Sequence, residues 1–199
     1  MTSTTPTTTH DLPWPKLDRV FLVGLGHQAR QGKDLAADAI VAAFGADARR
    51  FAFADAVRAL ARVEYRMAAK DAPLLQQIGV GRRSIDPDIW VRTVAWAIAD
   101  WMADRNGRPG VAVIPDSRFP NEARFIRQHQ GLLLRIVRYG ADGQRFVASD
   151  RPATHISETA LNAGDFTATI DNLQGRPELL QQRAVQLVQT HFWAWTESL

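Results

Sequence analysis

Apolar residues fall along this chain in two kinds of run, and their alternation sets the expected fold. Arg19 to Gly24 (RVFLVG), Val111 to Ile114 and Leu132 to Val137 are short, continuous apolar runs, the pattern of buried strands. Arg50 to Phe53 and Thr167 to Ile170 predict two more strands. Between them, Lys33 to about Phe44, Asp55 to about Ala69, Asn121 to about His129 and Pro177 to about Phe192 predict helices. The strongest helical signal follows Asp86-Pro87, where Ile89/Trp90, Thr93/Val94, Ala97/Ile98 and Trp101/Met102 recur every four residues as one broad apolar face. Asp86 is the expected N-cap there, with Pro87 at the first helical position, and Asn106-Gly107-Arg108-Pro109-Gly110 stops the helix. Strands alternating with helices predict an α/β fold with a largely parallel sheet.

The remaining segments are polar. Met1 to about Pro15 is rich in Thr, Ser and Pro and is expected to be disordered, leaving residues 16–199 as a single domain. Tyr139 to Ala153 is polar, contains glycine, and is expected to be irregular and mobile. At 199 residues and 46% hydrophobic, the chain can bury one sizeable core. It has no cysteine, which excludes a disulfide scaffold, a thiolate zinc site and a cysteine nucleophile.

No apolar run is long enough to span a bilayer, and the first nine residues lack the basic and apolar regions of a signal peptide. A cytoplasmic protein with no membrane partner is expected. The net charge of +3 is too mild for a protein that wraps a duplex, so no nucleic-acid partner is expected either. Lysine occurs only at Lys16, Lys33 and Lys70. Arginine supplies the other cations; a GC-rich genome would account for that, and so would bidentate binding of phosphate.

Candidate chemistry gathers at two strand ends. The first strand runs into Gly24-Leu25-Gly26-His27-Gln28-Ala29-Arg30-Gln31-Gly32-Lys33-Asp34 as a helix begins. A glycine-rich turn there lets backbone N–H groups point at phosphate oxygens, and a lysine reaches the outer phosphates. His27 stands where a glycine is usual, and Asp34 where a hydroxyl residue normally binds Mg²⁺. The third strand ends in Asp116-Ser117-Arg118, which the rule for open α/β sheets places beside that loop. An aspartate there can orient a metal-bound water or a hydroxyl, and an arginine can clamp phosphate. Asn121-Glu122 has the form of a helix N-cap and a first-turn acid. Leu74 to Gly79, then Gly81-Arg82-Arg83, has the form of an amphipathic segment and a basic turn. His155 beside Glu158 has no second histidine at metal-binding spacing, so a metal there is not expected.

In this order the motifs ARQGKD (Ala29 to Asp34), LLQQIG (Leu74 to Gly79), IDPDIWV (Ile85 to Val91), DSRFPNEA (Asp116 to Ala123), the strand ending Arg135-Ile136-Val137-Arg138, and HISET (His155 to Thr159) resemble the bacteriophage-type deoxynucleoside monophosphate kinases of the P-loop kinase superfamily. The resemblance implies a P-loop nucleotide-kinase fold, a mostly parallel sheet flanked by helices. It adds a helical monophosphate-binding region at about 54–105 and a small lid at about 139–158. The family accepts aspartate after the P-loop lysine, as Asp34; Leu35 replaces a common threonine. The implied substrates are ATP and a deoxynucleoside monophosphate, with Mg²⁺ as cofactor, in the host cytoplasm if phage-encoded.

Carried over by position, Gly26, Ala29, Arg30, Gln31, Gly32, Lys33 and Asp34 would hold the donor. Phe53, Asp55, Gln76, Arg82, Asp86 and Trp90 would line the acceptor pocket, with Phe53 and Trp90 against the base and Gln76 or Asp86 at its edge. Asp116 would position Mg²⁺, with Asp34, or the deoxyribose, and Arg118 the acceptor phosphate. Arg135, Arg138 and Arg151 would neutralise charge from the lid, Arg138 at the catalytic centre, and His155, Ser157 and Glu158 would close the site. A kinase for another small acceptor, such as dephospho-coenzyme A, and a catalytically silent nucleotide-binding protein are the rival expectations. Phe192, Trp193 and Trp195 would cover the core or form a homodimer contact.

Overall fold

β1 (Val20–Gly26) is buried at every position, as a strand covered on both faces must be. The structure, a computed structural model, describes residues 13–26, 28–148, 156–161 and 163–199. The tail to residue 12, His27, Arg151 and His155 lie outside the described residues. β1 is flanked by β3 (Gly110–Ser117) and β4 (Leu132–Tyr139), with β2 (Ala48–Arg50) and β5 (Ala168–Leu173) as the edges. The order is β2-β3-β1-β4-β5, and the pairings are parallel.

Side chains alternate across β1 and divide the core in two. Phe21, Val23 and Leu25 face α1 (Lys33–Phe44) and α7 (Pro177–Thr196), where they pack with Ile40, Leu180 and Val188. Val20 and Leu22 face the other way, towards α2 (Phe53–Glu64), α4 (Ile89–Ala103) and α5 (Pro120–Gln128), with Val57, Ile98 and Ile126. α3 (Ala72–Ile85) joins that second layer through Ile78. A Cβ at Gly24 would sit 2.3 Å from Ile126 Cδ1, so glycine in β1 is what lets α5 close on the sheet. Phe192 covers the first core against Phe21 and Phe44, Trp195 lies against Phe21, and Trp193 remains exposed.

After β1 the chain leaves through α1 towards β2; after β3 it leaves through α5, on the opposite face, towards β4. Connections diverge between two adjacent strand ends, which opens a crevice outside the carboxyl ends of β1 and β3. The expected α/β class and parallel sheet are found, and α1 has its expected bounds. Among the described residues no helix is long and apolar enough to cross a membrane.

Three local expectations are corrected. β2 comes earlier than Arg50 to Phe53, because Phe51 and Phe53 are drawn into the core and Phe53 already starts α2. α3 runs unbroken through Gly81-Arg82-Arg83, where a turn was expected; the Asp71 side chain caps its start by accepting the Leu74 N–H at 3.0 Å. Asp86 closes α3 instead of capping α4. Its carboxylate is buried, ion-paired with Arg92, and accepts the Asp88 N–H at 3.0 Å, so it shapes the α3–α4 turn.

That pair predicts its own test. Asp86→Ala leaves Arg92 buried without its partner and should lower the unfolding free energy by about 3–5 kcal/mol in urea titrations. Asp86→Leu with Arg92→Met should lose far less. A single-variant loss below about 1 kcal/mol would contradict this role.

Candidate active site

The chain turns from β1 into α1 through a loop braced from behind. Gln31 is buried, and its amide nitrogen donates to Ala29 O at 3.3 Å and Phe146 O at 3.2 Å. Its amide oxygen accepts the Arg138 N–H at 2.5 Å, and Asn172 Nδ2 donates to Gln31 O at 2.8 Å. The loop is thereby tied to β4, to β5 and to the segment after β4. Gly32 takes φ 104°, and a Cβ there would meet Asn172 Nδ2 at 2.5 Å, so conformation and space both demand glycine. Arg30, exposed, also has a left-handed backbone at φ 57°.

Lys33 is the first residue of α1, and its side chain is folded back so that Nζ donates to Gln28 O. Burial pushes its pKa down to about 8, helped by the nearby Arg118 guanidinium and opposed by Glu158, Asp34 and Asp116. Glu158, on the single-turn α6 (Ile156–Thr159), is 7% exposed. Its Oε2 accepts the Ala29 N–H at 2.7 Å, and its Oε1 accepts from Arg118 Nη1 at 2.5 Å. A loop amide and a guanidinium thus meet on one carboxylate, at the crevice between the β1 and β3 ends, and the Lys33 ammonium feels its charge. Such a set of donors binds tetrahedral or planar oxyanions.

The β3 exit is held as firmly. Asp116 accepts the Phe53 N–H at 3.0 Å and the Ala54 N–H at 2.8 Å, fixing the start of α2. Burial holds its carboxyl above the ordinary aspartate value in spite of those two bonds. Glu122 Oε2 accepts the N–H groups of Arg118 (2.7 Å) and Phe119 (3.0 Å), and its Oε1 accepts from Arg83 Nη2 at 3.1 Å. The Arg83 guanidinium also lies 4.3 Å from the centre of the Phe119 ring. Phe119 is the N-cap of α5, and Asn121, expected in that role, instead donates to Pro87 O and Asp88 Oδ1, both at 2.9 Å.

Other predicted residues are placed as follows. Gly26 ends β1. Phe53 and Trp90 are buried in the core, and Trp90 Nε1 donates to Gly79 O at 3.2 Å, so their rings pack in the interior rather than presenting a face to a base. Arg82 points outward to Glu64 at 3.2 Å; Arg83, one helical step on, is the arginine that reaches the β3 exit. Asp55 is exposed and paired with Arg58, and Gln76 is exposed on α3. Asp86 is held by Arg92, beside a cleft of about 410 Å³ that none of Lys33, Asp116, Arg118 and Glu158 lines.

Arg135 and Arg138 belong to β4 and not to a lid. The Arg138 guanidinium is 4.6 Å from the Phe146 ring centre, while burial and the neighbouring Arg145 hold Arg135 below the ordinary arginine value. Ser157 lies on α6 with Glu158.

Asp34 is exposed and paired with Arg50, which also binds Asp38 at 3.0 Å. Among the described residues no group of three or more His, Asp or Glu side chains could hold a metal. Mg²⁺ needs only one or two carboxylates when phosphate oxygens and water complete its shell. Asp34 and Asp116 both act on the Lys33 ammonium, Asp34 from its ion pair with Arg50 and Asp116 with each oxygen already accepting a backbone N–H.

The sequence pattern marked Glu122 only as a first-turn acid and Arg83 only as part of a basic turn, and it did not mark Asn172. Glu122 had a signal, an acid three residues after the N-cap, which reaches back to free N–H groups. Arg82 and Arg83 differ only by one step round a helix.

No protein-family model matches the chain, and no curated protein matches it. Among solved structures it is similar to an unliganded sugar kinase from Janibacter sp. HTCC2649, at 20% identity and a TM-score of 0.42, over 86% of this chain and 94% of that one.

Glu122 gives this site a pH signature. Burial, with Asp116 beside it, raises its pKa from 4.5 to about 7 against the pull of Arg83 and the two N–H groups. The folded state therefore holds this proton more tightly than the unfolded state. The contribution favours folding below pH 4.5 and is lost as pH rises towards 7. Urea titrations of the wild type and Glu122→Gln should show the variant gaining relative stability from pH 5 to pH 8. A stability difference that does not change over this range would contradict the shift.

Proposed function

We propose that the chain is an ATP-dependent kinase that phosphorylates a deoxynucleoside monophosphate. The observation that carries this is the meeting of the Ala29 amide and Arg118 on one anion at the switch point of the sheet, with the Lys33 ammonium near enough to feel its charge. The ARQGKD, DSRFPNEA and HISET motifs support the same reading, and they supply these residues.

In this proposal the donor triphosphate lies on the loop amides and on Lys33, and Arg118 draws the acceptor phosphate into line. The γ-phosphorus then bonds to a 5′-phosphate oxygen of the acceptor as its bond to the β-bridging oxygen breaks. The attacking oxygen is already anionic, so no strong general base is required. Positioning and charge neutralisation carry the catalysis. Mg²⁺ held by Asp34 and Asp116 would offset triphosphate charge. Asp55 and Gln76 are the exposed groups on the acceptor side. The burial of Phe53 and Trp90 favours keeping a second reading, a kinase for another small phosphorylated acceptor.

Incubation with Mg²⁺-ATP and each common deoxynucleoside monophosphate, with dephospho-coenzyme A alongside, should give turnover with at least one nucleotide. Lys33→Met should lower kcat by about 10²-fold or more. Turnover with dephospho-coenzyme A alone moves the assignment to the second reading, and turnover with none leaves a silent nucleotide-binding protein.

Lys33 also sets a pH dependence. Below its pKa of about 8 the ammonium is charged before ATP arrives; above it, binding must draw in a proton. ATP affinity should therefore fall as pH rises from 7 to 9 in the wild type and stay nearly level in Lys33→Met. Parallel pH profiles for the two would contradict this role.

A further inference from the structure

Glu158 is a carboxylate in a place built for an anion. Its side chain is buried, yet it comes from a helix of only four residues. Burying a carboxylate is unfavourable unless charge and hydrogen bonds compensate. Here each oxygen has its own donor: the Ala29 N–H at 2.7 Å for one, Arg118 Nη1 at 2.5 Å for the other. The Lys33 ammonium adds its charge from the side.

Those donors are the ones assigned above to phosphate, so the following rests on that reading. We propose that Glu158 is an internal competitor of the polyphosphate: its carboxylate holds the Ala29 amide and Arg118 in the ligand-free chain and must release them before a phosphoryl group can bind. One N–H pointing at one carboxylate oxygen cannot serve a phosphate oxygen as well. Nor can the carboxylate remain beside the newcomer, since two anions sharing a site repel each other. The loop does not give way instead, because Gln31 and Asn172 fix it from behind. The exchange therefore falls to Glu158. Its consequence is quantitative: apparent affinity is the intrinsic affinity reduced by the fraction of molecules in which the carboxylate has let go. Glu158 also keeps a buried lysine and a partly buried arginine compensated while no nucleotide is present.

Calorimetric titration with inorganic tripolyphosphate, without Mg²⁺, tests this on the full-length wild type, Glu158→Gln, Glu158→Asp and Lys33→Met. Removing the competing charge should tighten binding in Glu158→Gln by about tenfold or more, a change of about 1.4 kcal/mol. Its unliganded thermal midpoint should drop. Glu158→Asp, whose shorter arm cannot reach both donors, should also bind more tightly, and it carries the measurement if the Gln variant does not fold. Equal or weaker binding in the folded variants, with wild-type binding that depends on Lys33, overturns the competition and leaves the phosphate site standing. No binding by any of the chains overturns both.

Discussion

Helix α1 begins with a cation at the end where its own dipole is already positive. Lys33 is buried there, its ammonium turned back over the preceding loop, with the Arg118 guanidinium close enough to lower its pKa. Two cations and a helix N-terminus repel one another, and the arrangement persists only with anions among them. Glu158, Asp34 and Asp116 supply that compensation within the chain. Lys33, Arg118 and the helix N-terminus are the positive groups that an incoming anion would meet there. Most other features of the site serve to hold these groups in place.

The sheet supplies the holding. With β1 and β3 adjacent and their onward connections on opposite faces, the loop before Lys33 and the turn carrying Asp116 and Arg118 must open side by side. Each is then fixed by a buried polar side chain that reaches backbone: Gln31 ties the loop to β4, and Glu122 gathers the Arg118 and Phe119 amides. Through Arg83, Glu122 also joins α3 to the β3 exit, so the helical layer and the sheet meet at the site. Buried networks of this kind are costly when incomplete and rigid when complete.

The sequence carried the frame of this arrangement well. Continuous apolar runs marked β1, β3 and β4, and a four-residue repeat marked α4, because burial on two faces or on one leaves a periodic trace. Lys33, Asp116 and Arg118 could be placed at neighbouring strand ends because the rule for open parallel sheets puts them there, whereas Glu158 came only with the HISET motif. Side-chain direction was not legible. Phe53 and Trp90 carry an apolar character that suits a base or a core equally, and tertiary packing took both. Whether Arg82 or Arg83 turns inward depends on where α3 starts, and the glycines at 79 and 81 hid its continuity. Asp86 has the local signature of an N-cap, but Arg92, six residues on, drew it into a buried ion pair.

The central claim is that the β1–α1 loop is a polyphosphate site. Amide chemical shifts of isotopically labelled full-length protein, followed by NMR during titration with a non-hydrolysable ATP analogue, test it most directly. The account predicts saturable shifts that are largest at the amides of residues 28–34, with Ala29 foremost and Arg118 also affected. Saturable shifts confined to the cleft lined by Ile85, Ile89 and Trp96, or none at saturating analogue, would contradict it.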